Sequence, residues 1–153
     1  MTTTLEQGIT VLDQHECWAL LRSAEVGRLA VSILERPDIF PINHVVDRGR
    51  IVFRTAAGTK LAAAVLGRAV AFEVDGYDPI KGEAWSVVVK GRAHELEAMH
   101  DLVDALDLPL FPWSAGPKPR FVRIDPDSVT GRRFRVVELP AEPTAPARRS
   151  AAE

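Results

Sequence analysis

Two cations and two hydroxyls fall within seven residues of this chain: Arg54, Thr55, Thr59 and Lys60, gathered around Gly58. A guanidinium grips phosphate oxygens in a fork, an ammonium offers a compact charge, and a threonine hydroxyl donates a hydrogen bond. An apolar helical pattern begins directly afterwards, and a helix start adds unpaired backbone N–H groups. The segment therefore reads as a phosphate anchor. The other reading of the same residues is ordinary solvated charge beside a turn glycine. The Walker pattern does not fit, because Phe53 stands where its first glycine belongs and Lys60 follows Thr59 instead of preceding it.

Other reactive side chains form weaker patterns. His15, His44, His94 and His100 lack the spacing of metal ligands, so no metal site is expected. Ser86 has no visible base and orienting group, which argues against nucleophilic catalysis. Glu73 and Asp75 share one face of an extended segment and read as a solvated edge. No catalytic side chain is assigned.

The elements that position the anchor are mostly strands. Met1 to Leu12 shows no period and reads as a loose lead-in. Asp13 with Glu16 is the aspartate form of a capping box, opening an amphipathic helix through Cys17, Leu20, Leu21 and Ala24. Strands are expected at residues 28–34, 40–46, 51–55, 69–74, 84–93, 120–124 and 132–139. A turn is expected at Glu35–Asp38, a hairpin turn at Asp47–Arg50, and a bend or bulge at Gly91. In the strand over residues 40–46, Phe40, Ile42, His44 and Val46 face one way, Asn43 and Val45 the other. A short helix follows Gly58, a loop spans residues 75–82, and a second amphipathic helix is expected at 97–108. Residues 110–119 read as an irregular connector. So many strands with few helices predict a mainly β protein, an antiparallel barrel, and not a layered βαβ sheet.

The 153 residues suffice for one domain, expected over residues 1–139, with a Pro/Ala/Glu/Arg/Ser tail at 140–153 expected to be disordered. Apolar residues make up 46% and charged residues 26%, as in soluble globular proteins. The net charge of -2 and the lack of an interleaved basic and aromatic face argue against nucleic acid as a partner. Cys17 is the one cysteine, which excludes an internal disulfide and suits a reducing compartment. With no leader-like segment and no apolar run of membrane length, the expected location is the cytoplasm.

In order along the chain, CWALL…GRLAVS (17–32), FPINHVVDRGRIVFRTAAGTKL (40–61), VAFEVD (70–75), WSVVVKGRA (85–93) and PWSAG…VRIDPDSVTGRRF (112–134) resemble the pyridoxamine 5'-phosphate oxidase-like family. The likeness is greatest to its nitroimidazole-resistance-protein-like branch. The resemblance implies an FMN-binding split β-barrel, antiparallel and Greek-key-like. It places the flavin phosphate at Arg54, Thr55, Gly58, Thr59 and Lys60, and the isoalloxazine ring along Ile42, Asn43 and His44. Trp85 and Ser86 then approach the cofactor as well. The resemblance also implies a homodimer with a cofactor site in the groove between subunits, where Trp113, Arg132 and Arg133 could reach the partner's site. The arginine–histidine substrate motif of true pyridoxamine phosphate oxidases has no match here, so oxidation of a vitamin B6 phosphate is not expected. The implied function is FMN-dependent oxidation or reduction of a small organic substrate. The alternatives are a deazaflavin F420-dependent reductase on the same fold, and a non-catalytic flavin- or haem-binding protein.

Overall fold

A computed structural model describes residues 3–5, 8–56, 58–97, 105, 109 and 120–136. The strands are β1 (Thr3–Leu5), β2 (Ile9–Val11), β3 (Val26–Ile33), β4 (Arg36–Asn43), β5 (Val45–Asp47), β6 (Arg50–Thr55), β7 (Ala69–Asp78), β8 (Glu83–Glu95) and β9 (Arg120–Arg135). The helices are α1 (Gln14–Ser23) and α2 (Lys60–Val65). All strand pairs are antiparallel, in the order β1-β2-β9-β8-β7-β3-β4, with β6 joining β9 and β5 joining β6. The sheet thus runs from β4 round to β5, and one residue, His44, connects those two strands along the chain. A sheet whose opposite ends are one residue apart has to curl, and the result is the expected mainly β split barrel.

Strand β9 is the spine. It pairs with β8 along nearly its whole length, while its other edge is shared: Arg120–Ile124 pair with β6 and Arg132–Phe134 with β2. The sequence pattern suggests two strands here, 120–124 and 132–139, with Pro126–Thr130 between them as a turn. The structure makes them one. Gly91 lies opposite Pro126 at a register shift, leaving Asp127 as the extra residue of a bulge, so Pro126 sits where the ladder is already interrupted. Gly91 is required, because a Cβ there would lie 2.1 Å from the Asp125 carbonyl oxygen.

Further departures from the sequence reading have local causes. The 1–12 lead-in contains β1 and β2, which pair because Gly8 has a positive φ and lets the chain reverse. The β3–β4 hairpin turns at Leu34 and Glu35, both with positive φ, so Pro37 stands inside β4. The strand expected over 40–46 is interrupted at His44. Strand β7 extends to Asp78, shortening the expected loop to its last four residues. The Asp47–Arg50 turn and the Asp13–Glu16 capping box form as the sequence indicates. The predicted 97–108 helix, the 110–119 connector with Trp113, and the 140–153 tail fall almost wholly outside the described residues. The exceptions are Glu97 and Ala105; Ala105 is buried with Val52, Leu96 and Phe121.

The edge of β4 is closed to further pairing by its own composition. The His44 amide donates to the Glu25 carbonyl, which fixes the parity: Ile42, Phe40 and Asp38 turn their backbone groups toward β3, and residues 37, 39, 41 and 43 turn theirs outward. Two of those four are proline, and the Ile39 amide is capped by Asp38 Oδ1 at 2.9 Å. This is the protection an edge strand needs.

The main core lies inside the curl: Leu29, Phe72 and Val74 from β3 and β7, Val87 and Val89 from β8, and Ile51 and Phe53 from β6. Helix α1 closes it with Cys17 and Leu21, both fully buried. Two outcomes test this account. Gly91→Ala should lower stability by about 2 kcal/mol or more through overpacking, read by chemical denaturation. Leu34→Asn with Glu35→Gly should raise it by about 1 kcal/mol, because an asparagine–glycine pair relieves the left-handed backbone of a two-residue hairpin turn.

Candidate functional site

The hydroxyls of the 54–60 segment meet each other. Thr55 is the last residue of β6 and only 2% exposed. Its Oγ1 lies 3.2 Å from Thr59 Oγ1. Thr59 caps α2: its Oγ1 accepts from the Ala62 amide at 3.2 Å and donates to the Ala56 carbonyl at 2.9 Å. Thr55 therefore braces the loop from behind, and one N–H of the first helical turn is already used. Gly58, with φ +71, lets the chain reverse between them.

Charge stands on either side of this brace. Lys60 opens α2, is 77% exposed at its side chain, and places Nζ 2.8 Å from Asp38 Oδ2 on β4. That bond holds the Asp38 carboxyl below its ordinary range. Arg54 lies on the opposite face of β6 from Thr55, with its guanidinium 4.8 Å from the centre of the Phe121 ring, a cation–π contact. The guanidinium and the ammonium have phosphate chemistry, whereas the one proton of the Thr59 hydroxyl is already given to the Ala56 carbonyl. The sequence reading missed Asp38 and Phe121, each joined to the segment only by the fold.

The residues expected beside a ring are placed differently from one another. Ile42 is buried, and its backbone groups face β3. His44 is 4% exposed, with its ring edge-on to Phe72 at 4.7 Å. Its Nε2 is 2.8 Å from the Leu21 carbonyl. A carbonyl only accepts, so Nε2 carries the proton and Nδ1 is bare; among the described residues Nδ1 has no partner. Burial pushes the imidazole below its ordinary value of 6.5. Asn43 turns its backbone to the outer edge of β4.

Trp85 and Ser86 are neighbours on β8 and point to opposite faces. The Trp85 indole packs over Gly76 and against the main core. Ser86 lies on the outer face, opposite Arg132 of β9, in a groove with Val88, Thr130, Ile9, Val11 and Phe134. The 1–12 segment has no sequence period, so nothing in it signals the part Ile9 and Val11 play in this groove. Arg132 is exposed there, whereas Arg133 is tied to Glu16 and Glu83. Phe121, beneath Arg54, and Arg132, beside Ser86, are eleven residues apart on one strand, about 36 Å along it.

Residues 13–133 match the sequence model of the pyridoxamine 5'-phosphate oxidase family. The chain belongs to that family. A family relative from Mycobacterium tuberculosis, named as an uncharacterized protein, is 36% identical over 131 residues, covering 82% of this chain and 86% of its own. The structure of an FAD binding protein from Mycobacterium smegmatis is 40% identical and superimposes with a TM-score of 0.74, covering 82% of this chain and 98% of that one. A second FAD-binding protein, from Mesorhizobium loti, is 26% identical with a TM-score of 0.62, covering 82% and 97%.

The buried imidazole of this family member sets a pH dependence. Its folded-state pKa lies below 6.5, so the unfolded chain binds the extra proton first. Stability from this group is complete above 6.5 and is lost as pH falls through the folded value. His44→Gln should therefore show a shallower drop in Tm between pH 8 and pH 5 than the wild type. Parallel Tm curves would show that His44 does not carry the effect.

Proposed function

We propose that this protein binds a flavin nucleotide and serves as a flavin-dependent oxidoreductase for a small organic substrate. The reading is carried by one observation: a relative 40% identical to this chain, covered over 98% of its length, is an FAD binding protein. The local chemistry agrees with it. Lys60 and Arg54 are the cations that would hold a phosphate, while the Thr59 and Thr55 hydroxyls brace the loop between them.

The ring would lie at the outer edge of β4 near Asn43, in a groove completed by a second copy of the chain. Distance along the spine supports the homodimer. The Ser86–Arg132 groove and the Arg54 corner lie at far ends of β9, so a ligand that meets both sets is served by two subunits. Two-fold symmetry then makes two equivalent sites.

A bound flavin supplies hydride and electron transfer itself, which fits the lack of an assembled acid, base and nucleophile among the described residues. The part left to these residues is to bind, orient and exclude water. Both FMN, implied by the sequence resemblance, and FAD, carried in the relatives' names, present a phosphate for that corner.

The test is a visible spectrum of the purified protein with titrations of FMN, FAD and F420, together with its mass in solution. Uptake of a flavin by a dimer is the expected result. Lys60→Ala and Arg54→Ala should each weaken that binding by about tenfold. A protein that takes up no flavin sinks the reading. One that takes up F420 alone keeps the fold and changes the cofactor. Flavin uptake without reduction by NADH, NADPH or reduced F420 would replace turnover with storage or sensing.

A further inference from the structure

The cationic corner holds an anion of its own. Lys60 Nζ is 2.8 Å from Asp38 Oδ2, and Asp38 is not a passing neighbour. Its other oxygen accepts from the Ile39 amide at 2.9 Å, and its backbone is fixed in the β3–β4 ladder opposite Val31. Pro37 on its N-terminal side restricts the chain further. Both carboxylate oxygens are thus engaged, and the carboxylate is held where Lys60 would otherwise offer its whole charge to a ligand. The Lys60–Asp38 pair has no net charge.

From this geometry we infer that Asp38 is a specificity-determining residue: it sets the corner to accept a singly charged phosphodiester, as in FAD, over the doubly charged terminal phosphate of FMN. The inference rests on the phosphate reading of the preceding section. A terminal phosphate monoester carries about 1.5 to 2 negative charges at pH 7, while each phosphate of an internal pyrophosphate carries one. A carboxylate bonded to Lys60 repels both, and repels the monoester more strongly, because its charge sits on one phosphorus while that of the pyrophosphate is spread over two. It also obliges an incoming phosphate to share or displace an existing hydrogen bond. Without this carboxylate the corner would be matched to the greater charge.

Asp38→Asn tests the inference, because the amide oxygen keeps the Ile39 cap while the charge is lost. Dissociation constants for FMN, FAD and riboflavin are measured by fluorescence quenching on the full-length wild type and variant. FMN should tighten by about tenfold, FAD by about threefold, and riboflavin, which has no phosphate, should not change. Lys60→Gln is the second variant. It leaves the carboxylate without its cation and should weaken FMN more than FAD, widening the preference. An FMN to FAD ratio unmoved by both variants overturns the inference and leaves flavin binding intact. So does an equal gain for riboflavin, which would trace the effect to the ring. A wild type that binds no flavin overturns the inference together with the reading beneath it.

Discussion

A curled sheet must bring its two ends together without leaving backbone groups bare, and here a single residue makes that junction. His44 leaves β4 at one end of the sheet and enters β5 at the other. Its amide bonds the Glu25 carbonyl and its ring bonds the Leu21 carbonyl, tying the end of α1 to the seam. Phe72 lies edge-on against the imidazole, and Gly27 leaves room for that ring: a Cβ at Gly27 would come within 2.2 Å of it. Helix, seam and core are thereby fixed by one set of contacts. The imidazole has to stay neutral to belong there, since a second ring proton would have no acceptor among the described residues.

Much of this was legible from local chemistry. Arg48 and Gly49 make the positive-φ pair that a two-residue hairpin demands, and Asp13 with Glu16 makes both bonds of a capping box. Gly91 marked the register shift between β8 and β9, although the extra residue, Asp127, lies on β9. What could not be read locally was decided by partners distant in sequence. Pro126 looks like a strand breaker until Gly91 stands opposite it and the register shift removes the need for its N–H. Leu34 and Glu35 are poor turn residues, so the signal moved to Pro37, whose missing donor is harmless on an outward edge.

The site divides along the same line. The residue types at 54–60 gave its chemistry, but alternation along β6 sends Arg54 outward and Thr55 inward, and only packing assigns them different tasks. Asp38 carries no sequence signal at all toward Lys60, twenty-two residues later; the hairpin of β3 and β4 brings it there. Trp85 and Ser86 were adjacent in the chain and therefore bound to be separated by the sheet between them.

The prolines of β4 have a consequence for how copies of this barrel meet. With residues 37 and 41 unable to donate and the Ile39 amide already occupied, β4 offers an incoming strand acceptors but almost no donors. A continuous ladder from this side, the route by which β proteins polymerise into fibres, would lose half of its hydrogen bonds. Self-recognition through this region must then be written in side chains, not in main-chain ladders. Side-chain surfaces diverge readily, so related barrels can keep their pairings separate while preserving a common fold.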